Sequence, residues 1–149
     1  MRRKLFPVAG AVQLRSTGRP AIVVGQRCSP EYLAHEVWKT EAEILLGVEC
    51  EREVALGKAV ADMTFTRDGD LYAVEVDNAH KQSRAQYAEK WKNYGKFEGF
   101  ILVLCHTDKR MRSLVKWAEP QKEVCLFNTF ARLAAGEPWT DWSGATAEV

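Results

Sequence analysis

Nothing in the chain approaches the ~20 consecutive apolar residues that a membrane-spanning helix needs. The opening MRRKLFPVAG is basic and then apolar, but no long apolar run follows, so it makes a poor secretory signal. Cysteine is sparse and scattered: Cys28, Cys50, Cys105 and Cys125 form no CxxC pair, and His35, His80 and His106 do not fall at zinc-ligand spacing beside them. The cysteines read as small buried hydrophobes in a reducing compartment. An excess of one charge is also missing. The 21 Lys and Arg nearly balance the 20 Asp and Glu, a net of +1, so any attraction to phosphate must come from a local patch. There is no internal repeat and no low-complexity tract. What is present is 149 residues, 46% hydrophobic and 28% charged: one ordinary cytoplasmic domain with a sizeable core.

The pattern divides the chain. Residues 1–28 read as a short hairpin, Leu5 to Leu14 and Ala21 to Gly25 around the turn-rich STGRP. Ser29-Pro30-Glu31 is a helix start, Ser as N-cap and Pro in the first helical position, and Leu33, Val37, Ile44 and Leu45 recur at helical spacing up to Gly47. Val48 to Val54 reads as a strand of ambiguous face. Ala59 to Thr66 and Leu71 to Asp77 are clearer strands. Lys81 to Phe97 is a polar helix, and FILVLC at 100–105 suits a strand covered on both faces. A basic helix over 107–117, a strand over 124–127 and a helix over 129–135 follow. The tail, 136–149, is expected to pack Trp139 or Trp142 and then fray. The order α-β-β-β-α-β-α-β-α over 29–135 predicts an α/β domain with a mixed sheet.

The hairpin yields the sharpest inference. Asp68-Gly69 between two alternating runs signals a two-residue type I′ turn, which needs positive φ at both central positions. That register sets Phe65 by Tyr72, Met63 by Val74 and Ala61 by Val76 on one apolar face. The other face carries Thr64 by Ala73 and then Asp62 opposite Glu75, with Asp77 further along. Facing carboxylates repel unless a divalent cation, a lysine or arginine, or water compensates. A hard cation such as Mg²⁺ favours such oxygens and commonly takes one or two carboxylates plus a substrate phosphate. The bland alternative is a solvated polar hairpin face.

The segment AVADMTF-TRDGD-LYAVEVD resembles the core of the PD-(D/E)XK nuclease superfamily, in which an Asp opens one strand and an acid-x-Lys motif lies on the next. Asp62 matches the first acid and Glu75 the second. Glu36 stands for the acid that a preceding helix often supplies, with Glu41 and Glu43 as rivals. The chain is more closely similar to the replication-relaxation family of plasmid and mobile-element proteins. That likeness rests on Ser16-Thr17-Gly18-Arg19, His35-Glu36, Ala61-Asp62-Met63, Glu75-Val76-Asp77 and Lys90-Trp91-Lys92-Asn93-Tyr94, then on FILVLCHTDKRMRSL, and covers roughly residues 14 to 130. The resemblance implies a restriction-endonuclease-like core, Mg²⁺ or Mn²⁺ held by Asp62 and Glu75, and phosphodiester hydrolysis on DNA. Two departures bear on activity. Asp77 occupies the usual lysine position, so Lys90 or Lys81 must replace it if the site cuts. Residues 1–28 have room only for the last two strands of the winged-helix unit that often precedes such cores. The alternative is therefore an inactive scaffold that binds DNA or a protein partner, or a subunit that needs a partner to read sequence.

Several residues support either view. Lys81, Arg84, Lys90, Lys92 and Lys96 on one helix and Lys109, Arg110, Arg112 and Lys116 on another would form a phosphate track, or be ordinary solvated faces. His80, just past the strand, is placed to meet a phosphate. His35 reads as a structural hydrogen-bonder in preference to a catalyst. Tyr87 and Tyr94, seven apart, read as core in preference to a relaxase-like nucleophile.

Overall fold

The computed structural model describes residues 30–78 and 82–149. The expected N-terminal hairpin, the Ser16-Thr17-Gly18-Arg19 segment, Cys28, the Ser29 cap, His80 and Lys81 lie outside the described residues. Helix α1 (Pro30–Leu46) buries Leu33, Val37 and Ala42. It stops at Gly47, whose left-handed φ of 65° lets its amide reach the Glu43 carbonyl at 3.1 Å. Ile44, expected on the apolar stripe, is 67% exposed beside this exit. The Cys50 amide bonds the Glu43 carboxylate at 2.9 Å, so 48–50 form a connection. Strand β1 (Glu51–Leu56) therefore starts later than the sequence suggests.

Two tight hairpins follow. β1 turns into β2 (Ala59–Arg67) through Gly57-Lys58, with Leu56 opposite Ala59 and Gly57 at φ 64°. β2 turns into β3 (Asp70–Val76) through Asp68 and Gly69, at φ 54° and 89°, the two positive angles that a type I′ turn requires. The expected register holds from Arg67 opposite Asp70 to Met63 opposite Val74. Phe65 and Tyr72 stack across it at 4.8 Å, a cross-strand pair that helps fix the alignment.

Helix α2 (Arg84–Tyr94) then crosses to β4 (Phe100–Cys105), parallel to β3. It is shorter than the expected 81–97 because a capping box starts it and a glycine ends it. Ser83 Oγ accepts from the Gln86 amide at 3.3 Å, and Gln86 Oε1 accepts from the Ser83 amide at 2.7 Å. Gly95 closes it at φ 57°. Helix α3 (Asp108–Trp117) and a 3-10 stretch (Glu119–Val124) lead to β5 (Cys125–Thr129), parallel to β4. Short α4 (Phe130–Ala134) follows. The tail pairs instead of fraying: β6 (Trp139–Thr140) joins β5 and β7 (Thr146–Ala147) joins β6, with Trp139 in the core and Trp142 44% exposed.

The result is mixed α/β: among the described residues, seven strands lie in sequence order, antiparallel at both ends and parallel in the middle. One face packs Ile101 and Val103 against Tyr87, Trp91 and Tyr94 of α2 and Leu114 of α3. The other packs Leu102 and Leu104 with Ala42 of α1 and Phe130 of α4. That double covering explains why β4 is apolar throughout. Among the described residues no helix is long and apolar enough to cross a membrane.

Candidate active site

The site begins where β2 departs from regular pleating. Residues two apart in a strand normally share a face. Yet Ala59 and Ala61 pack with Ala73, Tyr87 and Trp91, whereas Met63 and Phe65 pack with Tyr72, Val74 and Val76. The strand changes faces at Asp62. Between the pairs Arg52–Met63 and Val54–Ala61 sits Glu53, at φ 52°. That left-handed backbone costs a non-glycine residue about 1–2 kcal/mol. The expected pairing of Ala61 with Val76 on one apolar face is therefore wrong. The Val76 amide donates instead to Asp62 Oδ2 at 2.8 Å, and the ladder gives out one step before Asp62 would face Glu75.

This kink turns the Asp62 carboxylate toward α1. Its Oδ1 lies 3.2 Å from His35 Nε2 and 3.9 Å from Lys39 Nζ. Burial alone would raise its pKa. The His35 hydrogen bond, the Lys90 charge and the Val76 amide outweigh burial and hold the carboxyl below its ordinary value.

Glu75 is the deeper acid, with no exposed surface. Helical spacing on α2 brings Lys90 and Tyr94 onto one face. Lys90 Nζ donates to Glu75 Oε2, and the Tyr94 hydroxyl donates to Oε1 at 2.5 Å. Burial, with the like charge of Asp62 adding to it, pushes Glu75 up to about 7 against the opposing pull of Lys90 and Tyr94. Burial would lower Lys90, but the charges of Glu75, Asp62 and Asp77 override it and raise its pKa, keeping it an ammonium. The three groups Asp62, Glu75 and Lys90 thus form one electrostatic unit. Of the compensators left open by the sequence, the structure supplies a lysine.

Asp77 and Arg110 are placed differently from their sequence-based roles. Arg110 grips Asp77 with a fork, Nε to Oδ2 and Nη2 to Oδ1, both at 2.8 Å, and its Nη2 also donates to the Gln82 carbonyl at 2.7 Å. The Tyr87 hydroxyl adds a third bond to Oδ1 at 2.6 Å. Asp77 is thus a buried strut tying β3 to α2 and α3, and Arg110 is held on it. Tyr87 and Tyr94 are 1% and 5% exposed, and burial followed by the adjacent carboxylates drives their pKa values up, which argues against a tyrosine nucleophile.

Glu36 pairs with Lys39 at 2.8 Å and with Arg52 at 3.2 Å, and reaches Asp62 only through Lys39. Its rival Glu43 bonds Arg52 and the Cys50 amide. Glu41 forms no ion pair among the described residues. Arg84, Lys92, Lys109 and Arg112 are exposed on α2 and α3. Sequence reasoning missed Lys39, which is 1% exposed and bonds Glu36 and Glu53 beside Asp62. The available signal was its position four residues after His35, on the same helical face.

The chain matches no protein-family model, no curated protein and no solved structure. The residues themselves must carry the functional reading. Among the described residues no three His, Cys, Asp or Glu side chains converge as a metal-holding group. The charges of Glu75 and Asp62 both act on Lys90, and Mg²⁺ commonly takes one or two carboxylates with substrate phosphate and water completing its shell. Each carboxylate oxygen has two lone-pair directions, and the donors described leave Glu75 one on each oxygen. Asp62 and Glu75 carry the oxygen donors a hard cation prefers, with Asp62 held from α1 and Glu75 from α2, and the cation that stands on Glu75 is the Lys90 ammonium.

Proposed function

We propose that the chain acts on DNA through a PD-(D/E)XK-type centre, hydrolysing phosphodiester bonds with Mg²⁺ or Mn²⁺. The observation that carries this reading is Lys90. With Asp at position 77, an active site needs a lysine from elsewhere, and Lys90 of α2 lies on Glu75. The finer fold assignment, a restriction-endonuclease-like core in the order α-β-β-β-α-β-α-β-α, belongs to the same proposal. So do a cytoplasmic setting and a role in plasmid, phage or mobile-element biology, which rest on the replication-relaxation resemblance.

In this reading Asp62 and Glu75 hold the cation, which when bound lowers the pKa of water and stabilises charge on the phosphoryl group. Water oxygen forms the new bond to phosphorus as the P–O bond to the leaving strand breaks, the water's proton passing to solvent and the leaving oxygen taking a proton from solvent. Lys90, kept as an ammonium, is a fixed positive charge that orients the attacking water and meets the developing charge on phosphate. It is not the base. His35 and Lys39 hold the Asp62 carboxylate in position. Arg84, Lys92, Lys109 and Arg112 are the candidate phosphate contacts on the surface, with His80 and Lys81 joining them on sequence grounds.

One observation favours a second reading, an inactive DNA- or protein-binding scaffold. The Asp77–Arg110–Tyr87 lock fills the usual lysine position with a structural strut. The deciding experiment is Mn²⁺-dependent nicking of supercoiled and single-stranded DNA by wild type and Glu75→Ala. Cleavage that disappears in the variant supports the nuclease. A folded wild type that binds DNA without cutting it supports the scaffold, with a separate protein supplying any sequence recognition or activity.

A further inference from the structure

We propose that the open groove between the β1–β2 turn and α2 carries the DNA strand, with Lys58 holding a phosphate beside the one at Lys90. This rests on the nuclease reading above and names where its substrate lies. The groove has a volume of about 380 Å³ and is lined by Lys58, Ala59 and Val60 on one side and Gln86, Lys90 and Asn93 on the other. The α2 residues recur at the spacing that puts side chains on one helical face. Lys90 alone of them continues inward, to Glu75, so the groove leads to that carboxylate.

Its chemistry suits a phosphodiester backbone. Lys58 sits on the tight Gly57-Lys58 turn, is exposed, and makes no ion pair among the described residues. Asn93 and the Gln86 amide nitrogen offer neutral donors. Val60, 57% exposed, gives the wall an apolar surface for a sugar or base. Glu89 also lines the groove and Lys90 is paired with Glu75, so Lys58 is the groove's cation without an ion pair among the described residues. An open trough differs from the enclosing pocket of a small ligand, which buries most of its guest. A polymer can run along it.

The test is fluorescence anisotropy of a short fluorescein-labelled single-stranded DNA with the full chain in EDTA, across a salt series. Lys58→Glu is expected to weaken binding severalfold and to make log K against log salt shallower by about 0.7, the contribution of one phosphate. Lys58→Arg should bind like wild type. So should Lys122→Ala, on the 3-10 stretch and outside the groove. Equal affinity and equal salt slope for Lys58→Glu and wild type would overturn the groove while leaving the nuclease reading intact. A wild type that neither binds nor cleaves DNA would overturn that reading, and the groove with it.

Discussion

Glu75 gives the centre a measurable pH signature. Its ordinary pKa of 4.5 rises to about 7 in the fold, chiefly through burial. Between those values the unfolded chain has released a proton that the folded chain still holds, so stability must fall as pH rises through the window. The gap of about 2.5 units, at ~1.36 kcal/mol each, amounts to about 3 kcal/mol lost by the time pH passes 7. The neighbours do not offset this. Asp62, with its pKa lowered from 3.8, contributes stability that is lost only as pH falls below that value, and Lys90, raised from 10.5, contributes stability that is lost only above it. Replacing Lys90 by Met removes the largest influence that favours the Glu75 carboxylate. The variant should keep losing stability above pH 7, at about 1.4 kcal/mol per unit, while wild type levels off. Glu75→Gln should abolish the slope across the window. Urea unfolding, followed by tryptophan fluorescence from about pH 5 to about pH 9 in EDTA, reads all three. Parallel pH profiles for wild type and Glu75→Gln would refute the reasoning.

Other consequences follow from the contacts around the centre. Arg110→Met leaves Asp77 buried without its cation and should cost about 3–5 kcal/mol in urea unfolding, whereas the double change Asp77→Leu with Arg110→Met should recover part of that. A loss under 1 kcal/mol in the single variant would show that the strut carries no weight. Lys39→Met takes a cation from Glu36, which keeps Arg52, from the exposed Glu53 and from beside Asp62. It should lower thermal stability by several degrees, while Lys39→Arg retains most of it. Ser83→Ala breaks the capping box that starts α2 and should cost about 1 kcal/mol, read as a lower urea midpoint with an unchanged m-value.

The parts of the fold that could be read in advance were those with local causes. Asp68-Gly69 dictates its own turn, and the alternation on either side of it fixed the register from Arg67–Asp70 to Met63–Val74. FILVLC suits a strand covered on both faces, and Lys90, one of the two lysines offered as a replacement, bonds Glu75. The face change at Asp62 was not legible. Alternation assumes an unbroken pleat, and a glutamate at φ 52° leaves no mark that a glycine would have left. The Gly57-Lys58 turn was present in the sequence but hidden by the alternating charges before it. Lys39 reads as a solvent-facing lysine until β1 and β2 close over it. The Asp77–Arg110 fork joins residues 33 apart, a pairing that depends on where two crossovers bring their helices. Ser83 and Gln86 did spell a capping box, and reading it would have set the start of α2 correctly.

The most direct test of the centre is Mn²⁺ binding by electron paramagnetic resonance with the metal-free chain. The account predicts that wild type binds Mn²⁺ at a single site, that Asp62→Asn and Glu75→Gln each lose it, and that Lys90→Met keeps it. A folded wild type that binds no Mn²⁺, or binding unchanged in both carboxylate variants, would contradict the assignment of Asp62 and Glu75 as a metal-holding pair.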